Sequence, residues 1–94
     1  MNLRKLVEHI GISEIRGTTD REVTSVEFDS RKVNQNCAFV ARRGLHVDGH
    51  RFIPAAVEKG AVAVFCEVSP KHLPPSVTFV QVNATQSLFS EVAA

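Results

Sequence analysis

The sequence predicts an α/β fold, a small mixed sheet containing a βαβ unit with helices packed on the sheet. Two continuous apolar runs of strand length, Cys37 to Ala41 and Ala61 to Cys66, are the first observation. Runs without polar alternation are the pattern of strands covered on both faces. The second is the segment between them, Arg51 to Lys59, where Phe52, Ile53, Ala56 and Val57 recur at helical spacing. Pro54 falls early enough to sit in the first turn of that helix, and Gly60 follows as its stop. Strand, helix and strand in this order make a parallel crossover.

The remaining elements extend the same pattern. Asn2 can cap a helix whose Leu3, Leu6, Val7 and Ile10 share one face, with Gly11 suited to end it. From Glu22 to Phe28 the residues alternate, which predicts a strand with Thr24, Val26 and Phe28 on one side. A connection through Leu73-Pro74-Pro75 leads to a strand from Val77 to Val82, after which Thr85 can cap a helix beginning Gln86-Ser87-Leu88-Phe89. That helix has no closing residue before Ala94, so the expectation is a chain that continues into another domain.

A chain of 94 residues makes one domain that buries roughly 60 to 65% of its unfolded surface. A deep catalytic cleft of its own is not expected. The formal net charge of +1 gives no field to attract nucleic acid or an anionic membrane, so neither is expected as a partner. With no apolar stretch near ~18 residues and no signal-peptide core, the expected location is the cytoplasm. Cys37 and Cys66 sit inside apolar runs and read as buried thiols rather than a disulfide.

Two segments carry chemistry. Asp29-Ser30-Arg31 follows a predicted strand, and Arg42 to His50 joins a strand's carboxyl end to a helix, where ligands bind in open α/β sheets. Gly44 and Gly49 allow close backbone approach there, and Arg42, Arg43, His46 and Arg51 add donors suited to a phosphate. The plainer reading is a tight turn shaped by Asp48-Gly49 with solvated arginines, and Asp29 and Ser30 as caps of the turn after their strand. His46 and His50 are four apart, but with no third ligand at a convincing distance no metal site is expected. There is no Gly-x-x-x-x-Gly-Lys-Ser/Thr loop, so ATP chemistry is not expected from these residues.

The stretches Val26 to Val33, Cys37 to Ala41 and Gly44 to Ile53, with Ala55 to Val64 after them, resemble the N-terminal domain of the Mur ligases. The resemblance covers nearly the whole chain and is closest to the branch that adds the third residue of the peptidoglycan peptide. The dipeptide-adding branch is the alternative within the family, and a stand-alone α/β binding module the alternative outside it. It implies an ATP- and Mg2+-dependent amide ligase with three domains, of which residues 1 to 94 would be the first. The implied partners are UDP-N-acetylmuramoyl-L-alanyl-D-glutamate and the central and C-terminal domains of the same polypeptide, with no cofactor held here and no catalytic residue. By motif, Ser30 contacts the uridine nucleotide, Phe28 is the apolar residue two before it, and Leu45, His46 and Val47 line the nucleotide pocket. Some versions of the loop place histidine directly after the glycine; here Leu45 stands in that slot and the histidine follows. Arg31, Arg42 and Arg43 are added on electrostatic grounds as phosphate support, with Asp48 and Gly49 shaping the loop. If this is right, the open reading frame continues beyond Ala94 to a phosphate loop ending Gly-Lys-Thr or Gly-Lys-Ser. Sequencing the gene downstream checks this, and a stop codon directly after Ala94 would contradict it.

Overall fold

The computed structural model describes residues 2–8, 14–41, 49–67 and 76–82. In chain order the strands are β1 (Glu14–Arg16), β2 (Val26–Glu27), β3 (Ala38–Val40), β4 (Ala63–Cys66) and β5 (Thr78–Gln81), with helices α1 (Leu3–Val7) and α2 (Ile53–Glu58). They form a mixed sheet in the order β1-β5-β4-β3-β2, with β2 to β5 parallel and β1 antiparallel to β5. The predicted βαβ unit is β3-α2-β4.

Register explains why the central strands are apolar throughout. Phe39 pairs with Val64 and Val64 with Phe79, so these three form one row on one face. One residue on, Val40, Phe65 and Val80 form a row on the other face. The first row packs with Ile53 and Ala56 of α2, and the second with Leu3, Leu6 and Val7 of α1. A strand sandwiched between two helical layers has no solvent side on which to place polar residues. Phe39, Phe65 and Phe79 are fully buried. Cutting any of them to alanine should cost about 3 to 5 kcal/mol through lost burial and the cavity left behind.

The helix signals hold locally. The Asn2 side chain accepts from the Arg4 N–H at 2.9 Å, capping α1, and the Leu3 N–H is bonded to Arg21 O at 2.8 Å. The expected continuation to Ile10 and the stop at Gly11 lie outside the described residues. A 3-10 turn, Gly49–Phe52, leads into α2, Pro54 occupies its first turn, and Lys59 closes it. Gly60 follows with φ +110°, and its carbonyl accepts from the Asn36 N–H at 2.9 Å. Both cysteines are buried on the α2 side without a disulfide, and the Cys37 thiol donates to Asn34 Oδ1 at 3.0 Å.

Two expectations need correction. The strand foreseen from Glu22 to Phe28 is reduced to Val26–Glu27, because the earlier residues bond to a loop instead. The Thr24 N–H donates to Asn36 O and its hydroxyl to Gln35 O, and both Thr24 and Phe28 are exposed rather than sharing a buried face. Conversely, β1 has no sequence signal, since three residues with one apolar side chain, Ile15, carry no readable alternation. Its existence depends on β5: Ile15 pairs with Val80, and the buried Thr78 hydroxyl donates to Thr18 O at 2.6 Å just past the strand. The helix expected after Thr85 and the link through Leu73-Pro74-Pro75 lie outside the described residues.

Gly60 gives a direct test of the backbone. A Cβ there would sit 2.9 Å from Gln35 Cα, on a φ that side-chain-bearing residues rarely adopt. Gly60→Ala should lower stability by about 1 to 3 kcal/mol, seen as a lower urea midpoint with an unchanged slope.

Candidate functional site

Parallel strands send all of their carboxyl ends to one edge of the sheet, so the segments after β2, β3, β4 and β5 leave from the same side. Phe28-Asp29-Ser30 leaves β2 there. Because Glu27 pairs with Phe39, it lies beside the point where Ala41 leaves β3. The chain re-enters the described structure at Gly49, at the start of the turn into α2. The two segments singled out by the sequence therefore begin on adjacent strands.

Asp29 is a cap, as the plainer reading had it. Its carboxylate accepts from the Arg31 N–H at 2.9 Å, starting a 3-10 turn, Ser30–Lys32. The Arg31 guanidinium folds back on the same carboxylate, Nε to Oδ1 at 3.1 Å and Nη2 to Oδ2 at 2.8 Å. These hydrogen bonds to the charged form hold the Asp29 carboxyl down from the ordinary 3.8 to about 2. Arg31 stays largely exposed, so its charge remains open to solvent while two of its nitrogens are committed.

Ser30 is fixed through its main chain rather than its side chain. Its carbonyl accepts from Lys59 Nζ at 3.0 Å and from the Val33 N–H at 3.3 Å. Among the described residues its half-buried hydroxyl has no hydrogen-bond partner. Phe28, two residues earlier, is 42% exposed, an unusual placement for a phenylalanine beside a sheet. On the other flank Phe52 is 38% exposed at the start of α2, and Arg51 is also exposed. An exposed aromatic ring and an available hydroxyl suit a ligand with a flat apolar face and polar edges.

His50 does something the sequence did not reveal. Its Nε2 accepts from the Glu67 N–H at 2.9 Å, at the end of β4, and Gln81 Nε2 of β5 donates to Glu67 O at 3.1 Å. In the sequence His50 closes the loop after β3 and stands four residues from His46; its bonding partner lies 17 residues away and leaves no local signal. Leu45, His46, Val47, Arg42, Arg43, Asp48 and Gly44 lie outside the described residues. A depression of about 270 Å³ lined by Arg21, Glu22, Asn36 and Val62 sits before β2, β3 and β4, at the opposite edge of the sheet. Among the described residues, no group of three or more His, Cys, Asp or Glu side chains could hold a metal. Nor is any described helix long and apolar enough to cross a membrane.

The model of the Mur ligase family, catalytic domain, matches residues 22–94. The chain belongs to the Mur ligase family. Among curated Mur ligases it resembles the Bacteroides fragilis protein named UDP-N-acetylmuramoyl-L-alanyl-D-glutamate--2,6-diaminopimelate ligase, at 41% identity over 93 residues. That match covers 99% of this chain and 19% of the relative. A protein of the same name from Chlorobium phaeobacteroides is 44% identical over 92 residues, covering 94% of this chain and 18% of its own length. The chain thus spans about a fifth of the length of these relatives. Among solved Mur ligases, MurF from Acinetobacter baumannii superposes with a TM-score of 0.75 at 22% identity, over 94% of this chain and 19% of that one. At that identity the likeness concerns the fold. MurF ligase from Thermotoga maritima, solved in complex with ADP, gives a TM-score of 0.63 at 26% identity over 73% of this chain and 16% of its own.

The Asp29 cap has a pH signature. A carboxyl whose pKa is depressed by folding contributes stability that is complete above its unfolded value and is lost as pH falls through its folded value, here between about 4 and about 2. Asp29→Asn keeps a capping oxygen but cannot titrate. The difference in unfolding midpoint between the two proteins should therefore narrow as pH is lowered from about 4 to about 2, and a constant difference would contradict the assignment.

Proposed function

We propose that this chain is the N-terminal domain of a cytoplasmic, ATP-dependent ligase, and that it holds the uridine diphosphate end of UDP-N-acetylmuramoyl-L-alanyl-D-glutamate. The observation that carries this reading is the 41% identity running along 99% of the chain to a relative whose name specifies that substrate. Other relatives, from Phocaeicola vulgatus to Alkaliphilus metalliredigens, carry the same name, which favours diaminopimelate over lysine as the added residue. It also favours the third-residue ligase over the dipeptide-adding one.

The described residues fit a binding role. Ser30 offers a hydroxyl to the nucleotide, and Phe28 offers the exposed ring beside it. By the family motif, Leu45, His46 and Val47 are assigned to the same nucleotide. On charge alone Arg42, Arg43 and Arg31 are assigned to the diphosphate, with Asp48 and Gly49 as the turn residues of the motif. ATP and Mg2+ are assigned to the other domains, since this sequence offers no phosphate loop for them. In the full reaction the D-glutamyl carboxylate takes the γ-phosphoryl group of ATP to become an acyl phosphate, with ADP leaving. The diaminopimelate amine then attacks it, forming the amide and releasing phosphate.

Holding the nucleotide far from the reacting carboxylate has a clear use. Binding energy from a part of the substrate that does not react offsets the entropy of fixing the part that does. A stand-alone binding module would lack this purpose and would show no preference for uridine. Amide NMR titration of the 94-residue chain with UDP, using AMP as control, tests the reading. Saturable shifts specific to UDP are expected at Ser30 and from Gly44 to His50; equal responses to both nucleotides, or none, would count against it.

A further inference from the structure

We propose that Lys59 is a positioning residue for the nucleotide site, acting through the main chain of Ser30. The inference rests on the UDP-binding role proposed above and deepens it. The unit that matters is the peptide group joining Ser30 to Arg31. Its N–H donates to Asp29 Oδ1 at 2.9 Å, and its C=O accepts from Lys59 Nζ at 3.0 Å. The Val33 N–H donates to the same carbonyl at a longer 3.3 Å, so both lone pairs of that oxygen are used. A peptide group is planar, and holding it at both ends fixes the backbone torsion between it and the Ser30 side chain. That torsion decides where the half-buried Ser30 hydroxyl, which has no partner among the described residues, can meet a ligand. The bonds from Asp29 and Val33 are local to the turn, whereas Lys59 ties it to a helix whose Ile53 and Ala56 are anchored in the core. The Lys59 N–H is bonded to Ala55 O at 3.1 Å, and the Gly60 carbonyl accepts from the Asn36 N–H at 2.9 Å. The end of α2 thus grips the connection from Ser30 to Asn36 at both its ends, once by a side chain and once by main chain. The main-chain grip survives truncation of the exposed Lys59 side chain. Losing Lys59 Nζ therefore leaves the fold in place and releases only the turn that carries Ser30.

Lys59→Met keeps the apolar stem and removes donor and charge, whereas Lys59→Arg keeps both. UDP affinity would be measured by NMR titration, well below the unfolding temperature, for these two variants, for Ser30→Ala and for the double variant Ser30→Ala with Lys59→Met. Lys59→Met should bind UDP about 3- to 10-fold more weakly, the worth of one hydrogen bond, and Lys59→Arg should recover most of the loss. In the Ser30→Ala background Lys59→Met should make almost no further difference, because the hydroxyl it positions is gone. A lysine charge acting directly on the diphosphate, or a general loosening of the fold, would instead weaken binding equally in both backgrounds. Equal losses would therefore overturn the positioning role while leaving the UDP reading intact. An unchanged affinity in Lys59→Met, or a Lys59→Arg as weak as Lys59→Met, would overturn it too. If Ser30→Ala binds too weakly to titrate, salt decides. A Lys59→Met loss that vanishes at high ionic strength marks a direct charge and overturns the role, and one that persists supports it. Failure of the unsubstituted chain to bind UDP would remove the functional reading and this role together.

Discussion

Parallel pairing of β2, β3, β4 and β5 is the constraint from which most of the structure follows. A parallel neighbour cannot be reached by a tight hairpin, so the chain must cross back over a face of the sheet before each new strand. The β3-to-β4 crossing is α2, and α1 covers the reverse face, which leaves the central strands without a wet side. Their side chains must be apolar on both faces, and their main-chain groups must be satisfied within the sheet. The same geometry delivers every strand's carboxyl end to one edge. That Phe28, Ser30 and the entry to α2 share one edge is thus a result of topology before it is a result of selection for any ligand.

Three polar ties then make that edge definite. Lys59 at the end of α2 holds the Ser30 carbonyl, Asp29 caps its own turn, and His50 with Gln81 grips Glu67. Lys59, His50 and Gln81 restrain the main chain of another element and Asp29 that of its own turn, so the loops are set by several weak restraints rather than one strong one. Single ties of this sort are worth about 1 kcal/mol, small beside the burial of three phenylalanines. Stability therefore resides in the two apolar layers and precision at the edge in the polar ties.

This division also explains what could be read in the sequence. The runs Cys37 to Ala41 and Ala61 to Cys66, and the stripe through Ile53 and Ala56, were legible because deep burial leaves a compositional trace. Capping at Asn2 and the helix stop at Gly60 were legible because their chemistry is local. Illegible were β1, whose three residues depend on a partner more than sixty positions away, and the truncation of β2, decided by bonds from Thr24 to the loop before β3. In the candidate site, Asp29 and Ser30 were visible as a motif. The link from His50 to Glu67 was not, because a histidine's partner across a sheet edge has no fixed spacing in the chain.

The two margins of the sheet differ in kind from its apolar centre. On one side β1 is only three residues long and turns Glu14 and Arg16 outward, each exposed and paired to the other at 3.2 Å. On the other side β2 spans just two residues before the Asp29 turn bends the chain away. Among the described residues neither margin offers a long, flat, uncharged row of N–H and C=O groups onto which a second molecule could add a strand. The domain carries its most sticky segments at the centre and its least cohesive ones at the rim. At β2 the short strand that discourages edge-to-edge growth is also the one that leads into the candidate site.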